Sequence, residues 1–586
     1  MASTSLSEAS GPPWTPSQYY SFIFEEGVKA NPHGDAFICM HQDAHYLSAM
    51  AGPDDQRERQ DRTYLAWTYT QMERAVNRLC SAIAAKGVQP GQSMAVLTWS
   101  RVEWGLCMWA AAKLRLVFVP LDPRTLERAE ETRNLFGVVK PAVVVVEDVS
   151  GAKGAEDWWC AGRDDVLVKL VCEGNGRDHP PSLQQAAWSS FEAFASKASP
   201  SFTPLPGGTP TDLSAILFTS GTTSRPKGCT FTSQALEFLS QGLSRNLTPP
   251  SRVPIATASF RAICHGYAMN IWRAGGTCIF ASAHPNPAAH LDALVAERGT
   301  YAIMVPSSAR AVIALLNQPG ATKPAHLELV TIGGDISAAP TLRRTKAAFG
   351  ARRALNGWGM TEGGSCAVGW PPRSDFEDLP GANSDGVLGI GYVLPGHSVR
   401  VCELGTRNPV PRGVDGEMHL HGPGIIDRYL EDRYPEMWYV DEQGRRWFRT
   451  GDRTTMGEDG VVTILGRYKD AVNKGGVMLS PGVFEGILNS KEGVGEAQVV
   501  SIPHEHWGSV PVAVVRPTSP DALPANWKQA LREAIVKGMG EEAALEDVLA
   551  LEELGLDAFP INGSGKVMKD ELQKRIEERG LGESRL

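Results

Sequence analysis

The stretch LFTSGTTSRPKG, Leu217–Gly228, gathers groups that can hold an anion. Seven of its twelve residues are Gly, Ser or Thr, and Arg225 and Lys227 add positive charge. Glycine lets backbone N–H groups approach oxygen closely, hydroxyls donate, and a lysine or arginine neutralises charge; these are the ingredients of a phosphate cradle. The apolar lead-in Ala215-Ile216-Leu217-Phe218 predicts a strand running straight into the turn. Taken alone, the composition also fits a solvated loop. A P-loop NTPase is disfavoured. The chain's GSGK, Gly563–Lys566, has Pro560 where that motif needs its first glycine and Val567 where it needs a hydroxyl.

Further segments place reactive side chains on short turns. NGWGMTEGG (Asn356–Gly364) combines an aromatic ring, a hydroxyl and a carboxylate among glycines. RTGDR (Arg449–Arg453) sets an acid in a tight turn, GRYKD (Gly466–Asp470) follows it, and PINGSGKVMKDEL (Pro560–Leu572) lies near the end. Each has a plain alternative. Asp452 is able merely to cap its turn, Trp358 to be core, and Lys566 to be a surface lysine. In this order, however, the segments resemble the adenylate-forming superfamily of acyl-CoA synthetases, peptide-synthetase adenylation domains and firefly luciferase. The resemblance runs from TYTQMERAVNRLC through GVQPGQSMAVL, VPLDP and GPGIIDRYL to NGSGKVMKDEL, and so covers most of the chain.

The resemblance implies an ATP-dependent carboxylic acid–CoA ligase, AMP-forming, working through an acyl-adenylate. A carboxylate meets a phosphate, so catalysis is positioning plus charge neutralisation. Thr219, Ser220, Gly221, Thr222, Thr223 and Lys227 are expected around the β- and γ-phosphates. Trp358 stands where the family often has Tyr against the adenine, an indole stacks as well, and Gly359 joins the nucleotide-binding set. Thr361 is expected at the α-phosphate and Glu362 as a ligand of Mg2+, a hard cation taken by carboxylate and phosphate oxygens. Asp452 is expected to accept the ribose hydroxyls with Arg467 assisting, and Lys566 to bridge the α-phosphate and the acid's carboxylate. Asp470 matches the hinge about which a small domain swings between two poses. Gly475 and Gly476 would line the tunnel for the pantetheine arm of coenzyme A, although an ordinary turn uses such a pair too.

The acid's pocket is assigned by the same resemblance to Phe260–Ala268, to Gly333-Gly334-Asp335, and to small residues around Gly357 and Gly363–Ala367, Gly364 included. Relatives that activate amino acids usually place an Asp after Phe to pair the ammonium. This chain reads Ser259-Phe260-Arg261-Ala262, and an unpaired buried ammonium is costly, so an α-amino acid is disfavoured. CoA ligases often have H-x-x-G here. In Ile263-Cys264-His265-Gly266 the histidine is displaced by two positions, leaving a pocket role or a core role open for His265. Arg261 either faces the pocket and recognises a second oxygen-bearing group, or points to solvent beside an apolar slot for an aryl or medium-chain acid. The chain is expected to stand alone, with CoA as the acceptor. The alternatives are an acyl-AMP ligase loading a separate carrier protein and a luciferase-like oxygenase.

The elements needed to hold these loops are visible in the pattern. RAVNRLCSAIAAKG places Val76, Leu79, Cys80, Ile83 and Ala84 on one helical face with Gly87 as the stop; RVEWGLCMWAAAKLR reads as a second helix. SMAVLTW, VFVPLDP and PAVVVVED read as strands, the last with the β-branched run Val143–Val146 that suits burial on both faces of a parallel sheet. Alternating helices and buried strands mean α/β. The expected architecture is a large N-terminal AMP-binding domain of mixed and parallel sheets, residues 1–469, joined by the hinge to a small α+β domain, residues 470–586. Residues 1–20 read as a flexible leader.

The bulk properties agree with an enzyme of small molecules. With 586 residues, 42% hydrophobic and a net charge of −9, the chain is not a nucleic-acid binder by charge. No run of 18 apolar residues occurs and the N-terminus lacks the apolar core of a secretory signal. Ten scattered cysteines without a C-x-x-C pair point to reduced thiols rather than a zinc site. The closing Ser584-Arg585-Leu586 resembles the S-K-L address, so an import receptor and a peroxisomal, otherwise cytoplasmic, location in secondary metabolism are the expectation.

Overall fold

The computed structural model describes residues 5–15, 23–53, 62–173, 183, 186–219, 226–242, 247, 251–334, 336, 339–363, 367–380, 387–519, 521–561 and 567–579. The fold is α/β, with a large N-terminal part and a small C-terminal one. A seven-stranded sheet has the order Gly228–Thr232, Leu213–Phe218, Val117–Pro120, Ser93–Leu97, Pro141–Val146, Val168–Val171, Ser189–Ser190. It is parallel except for Gly228–Thr232, which returns antiparallel to Leu213–Phe218. Along Pro141–Val146 every residue is buried, and alternate side chains feed two cores. Val143 and Val145 join the core with Met94, Val96 and Phe118, whereas Val144 and Val146 join the one with Ala95, Leu97 and Val119. A run of valines without polar alternation is what such a two-sided strand requires.

The helix read from Arg74 begins earlier, at Tyr69, and runs to Ala85. Thr68 and Gln71 form a reciprocal capping box that fixes this start. Its buried face runs through Met72, Val76, Leu79, Cys80 and Ile83, but Ala84, expected on that face, is exposed. The helix Val102–Leu114 is buried all round, its Glu103 satisfied by Arg101 at 3.0 Å and by Gln42 at 3.1 Å.

A second group of strands continues the parallel theme. Arg252–Pro254, Thr277–Phe280 and Asp35–Asp43 are parallel, with Tyr64–Thr68 antiparallel at the edge. Tyr301–Met304, Leu329–Gly333 and Arg353–Gly357 form a parallel sheet tied to this one by an Ile255–Ile303 bridge. Open parallel sheets bind ligands beyond the carboxyl ends of their strands. Those ends carry Trp99, Asp122 and Thr219 on the first sheet, and Arg261, His284, Gly333 and Trp358 on the second group. Ser259 Oγ donates to the carbonyl of Thr98 at 3.1 Å and stitches the two sets of ends together.

The leader expectation is corrected. Glu8–Ser10 is a strand paired antiparallel with Ser398–Cys402, and Glu8 takes ion pairs from Arg400 (2.8 Å) and Arg445 (3.1 Å). The antiparallel sheet it joins also holds Gly416–His421, Arg446–Met456, Trp438–Val440 and Val462–Arg467. Sheet membership changes between Arg467 and Val472. From there Val472–Lys474, Val477–Leu479, Val494–His504, Gly508–Pro517 and Asp547–Ala550 form a separate sheet with helices Pro481–Asn489, Trp527–Met539 and Lys569–Glu577. The two parts touch through an Arg310–Glu496 ion pair at 2.5 Å and an Arg453 Nη1 hydrogen bond to the carbonyl of Met478, also 2.5 Å. The nine cysteines among the described residues are buried and unpaired.

Candidate active site

Thr219 and Lys227 stand at the neck of the Ser/Thr-rich turn, where strands Leu213–Phe218 and Gly228–Thr232 part. The Thr219 N–H donates to the Lys227 carbonyl at 3.0 Å, and the Lys227 N–H donates to Thr219 Oγ1 at 3.3 Å. Ser220, Gly221, Thr222 and Thr223 lie outside the described residues. Lys227 Nζ sits 4.0 Å from the ring centroid of Tyr434 and 5.3 Å from that of Tyr429. A cation over aromatic faces is attracted without being neutralised, so its charge stays available to an anion.

Tyr429 connects this lysine to the expected metal ligand. Its hydroxyl donates to Glu362 Oε1 at 2.6 Å, and its backbone bridges Cys229. Burial, with the Glu362 carboxylate beside it, raises the phenol's pKa well above its usual value, so Tyr429 stays a donor. Glu362 itself is pinned by its carbonyl, which accepts from the Ile426 N–H at 2.9 Å. Thr361 precedes it in the same half-buried turn, next to the exposed Gly359. The packing is close: a Cβ on Gly363 would come within 2.4 Å of Ile425 Cδ1.

On the other side Trp358 Nε1 donates to Asp452 Oδ2 at 3.1 Å, and Arg467 Nε pairs with Asp452 Oδ1 at 3.2 Å. Asp452 and Arg467 are register partners on adjacent strands, and the Asp452 N–H donates to Thr450 Oγ1 at 3.0 Å. Asp452 is 3% exposed, and its carboxylate is held between the partly buried indole of Trp358 and the half-exposed side chain of Arg467. A buried carboxylate needs such partners to remain ionised. Gly451, with φ of +72°, provides the bend in the strand that turns Asp452 inward.

Gly333 and Gly357 are register partners, and a Cβ on Gly333 would lie 3.1 Å from the Gly357 carbonyl; Gly334 follows with φ of +86°. Gly364 and Asp335 lie outside the described residues, as do Lys566 and Ser584-Arg585-Leu586. Ile561 and Val567, the described residues on either side of Lys566 in sequence, form an antiparallel bridge. Asp470 ends a short 3-10 turn in an exposed position, with Lys469 Nζ 3.9 Å away. Gly475 and Gly476 form a two-residue hairpin between Val472–Lys474 and Val477–Leu479, with φ of +59° and +90°. That is turn geometry, and the half-exposed Trp507 covers it: a Cβ on Gly475 would meet Trp507 Cε3 at 2.8 Å.

His265 is not at a solvent-facing gate. It is buried, stacks on Phe118 at 5.7 Å, and burial lowers its pKa to about 3, which makes it a neutral packing residue. Phe260 is buried and lies 5.5 Å from Trp99, while Arg261 is partly buried at the start of helix Ala262–Arg273. Sequence reading missed Tyr429, Tyr434, Trp99 and His284. Tyr429 lies within GPGIIDRYL and was the one open to detection.

Residues 48–430 match the AMP-binding enzyme family, and residues 484–566 match the AMP-binding enzyme C-terminal domain. The chain belongs to the AMP-binding enzyme family. Within the adenylate-forming superfamily it is an enzyme of the acyl-CoA synthetase type. An acyl-CoA ligase of Pestalotiopsis microspora is 27% identical over 575 residues, covering 94% of this chain and 95% of the relative. An indoleacetate–CoA ligase of Aromatoleum aromaticum is 27% identical over 518 residues, covering 87% and 93%. The crystal structure of ATP-bound MatB from Rhodopseudomonas palustris superposes with a TM-score of 0.74 at 25% identity, covering 96% of this chain and 100% of MatB. No helix among the described residues is long and apolar enough to cross a membrane.

Proposed function

We propose that this AMP-binding enzyme joins a carboxylic acid to coenzyme A through an acyl-adenylate, and that the acid is aromatic or medium-chain rather than an α-amino acid. The observation that carries the reading is the Trp358–Asp452–Arg467 arrangement. A buried carboxylate at the end of a flat indole is suited to two ribose hydroxyls with an adenine stacked beside them. Lys227 is then placed for the phosphates, with Glu362 linked to it through Tyr429. Tyr429 occupies Oε1 of Glu362 and leaves Oε2 for a cation. One carboxylate oxygen completed by substrate phosphates fits Mg2+, which keeps few protein ligands. Bound there, Mg2+ would neutralise charge on the departing pyrophosphate.

The run Ser259–His265 contains no acid, and the carboxylate of Asp122 is already engaged by Arg124 at 2.6 Å, so neither offers a free carboxylate to an α-ammonium group. The aromatic pair Trp99 and Phe260 favours an aryl or chain body. Full-length similarity to two CoA ligases supports coenzyme A as the acceptor. The test is pyrophosphate release from ATP over benzoates, phenylacetates, indoleacetate, cinnamates, medium-chain and α-amino acids, with thioester identified by mass. An aryl or medium-chain acyl-CoA product is expected. Turnover restricted to amino acids, or adenylate that accumulates unchanged with CoA present, overturns the reading.

A further inference from the structure

Beside the two sets of strand ends are buried polar side-chain atoms that lack partners among the described residues. The Nε of Arg261 is buried and bonded to nothing among the described residues, and so are the hydroxyls of Thr98 and Thr257. Buried donors left unmade are costly. The neighbourhood is aromatic: Trp99 packs 5.5 Å from Phe260 and 4.2 Å from His284, and the Arg261 guanidinium lies 5.0 Å over the Phe260 ring. The charge is unbalanced. Among the described residues Asp122 is the carboxylate that acts on Arg261, and Arg124 already commits Nε (3.0 Å) and Nη2 (2.6 Å) to it, so Arg261 shares its counter-charge with a second cation. Burial lowers the Arg261 pKa against the opposing pull of the Asp122 carboxylate, and the Arg124 charge adds to the lowering.

We propose that Arg261 recognises a second anionic group on the acid substrate, a carboxylate or comparable oxyanion carried at the far end of an aryl or chain body. The proposal rests on the acid-activating reading above and names its substrate class. A guanidinium presents paired N–H donors that match a carboxylate, and the Trp99–Phe260 surface supports the apolar body leading to it. Thr98 and Thr257 offer hydroxyls for the remaining oxygen lone pairs.

The test uses matched acids, benzoate with terephthalate, phenylacetate with 4-carboxyphenylacetate, and hexanoate with adipate, in the parent enzyme, Arg261→Ala and Arg261→Lys. Pyrophosphate release is read separately from thioester formation. The parent is expected to prefer the dianionic member of at least one pair. Arg261→Ala should lose at least tenfold in kcat/KM on that member, change less than threefold on its plain partner, and leave the KM for CoA unmoved; Arg261→Lys should recover part of the loss. Preference for plain acids throughout, an equal loss on both members, or a raised KM for CoA that dephospho-CoA does not share overturns it. The last result would assign Arg261 to a phosphate of CoA. Pyrophosphate release without thioester would overturn the CoA reading while leaving this comparison scored on adenylation.

Discussion

The Tyr429 hydroxyl donates to Glu362 Oε1 at 2.6 Å while the same ring lies 5.3 Å from the ammonium of Lys227. One side chain therefore spaces the cation and the acid that the proposed function sets on one polyphosphate. Tyr429→Phe keeps the ring and removes the hydrogen bond. A hydrogen bond to a charged group contributes roughly 1.5–3 kcal/mol, so kcat is expected to fall about tenfold or more. The loss should be accompanied by a higher Mg2+ concentration at half-maximal rate, read from pyrophosphate release. An unchanged Mg2+ dependence would make Tyr429 a packing residue.

Asp452→Asn removes the charge that Trp358 and Arg467 hold in place. The account expects kcat/KM for ATP to drop about 100-fold, as two charge-assisted hydrogen bonds to a ribose are lost. Trp358→Phe preserves a stacking face and loses only the donor to Asp452, so a loss of about tenfold or less is expected. Steady-state kinetics with saturating acid make the comparison, and a larger effect from Trp358→Phe than from Asp452→Asn would contradict the assigned roles.

Gly475→Ala puts a methyl 2.8 Å from Trp507 at a residue whose φ is +59°. Left-handed backbone disfavours any Cβ by roughly 1 kcal/mol, and the ring must also move. Adenylation is expected to survive and thioester formation to slow, measured as acid-dependent pyrophosphate release against acyl-CoA yield. The double variant Gly475→Ala with Trp507→Ala should recover part of the second step.

Three buried histidines set an acid limit on stability. Burial lowers the pKa of His265 to about 3, and those of His290 and His397 to about 4. Each binds its proton more weakly folded than unfolded, where the value is about 6.5. Their neutral-state stabilisation is complete above that pH and is lost as pH falls toward the folded values. The melting temperature should therefore decline between about pH 6.5 and 4, and His265→Leu should make the slope shallower. An equal slope would mean that His265 does not titrate on unfolding.

The motif loops were readable because each is a contiguous segment at a strand end. Asp452, Arg467, Trp358 and Glu362 were named because the order of these segments resembles the adenylate-forming superfamily, each having a plain alternative when read alone. Contacts across the fold were not readable: Trp99, Phe260 and His284 meet from three distant segments, and only the packing of two sheets brings them together. Tyr429 reaches Glu362 in the same way. The strand Glu8–Ser10 hid in a Ser- and Pro-rich leader because its partner lies almost 400 residues away. The histidine in Ile263-Cys264-His265-Gly266 stood near a gating pattern, but its side of the helix packs on Phe118.

The central claim is that the acid's own oxygen attacks the α-phosphorus of the nucleotide held by Trp358, Asp452 and Arg467. Turnover of an acid labelled with 18O in its carboxylate, in the presence of ATP, Mg2+ and CoA, tests it directly. The account predicts one labelled oxygen in AMP and an acyl-CoA thioester in equal amount. Label in inorganic phosphate or pyrophosphate, or AMP without label, would contradict it.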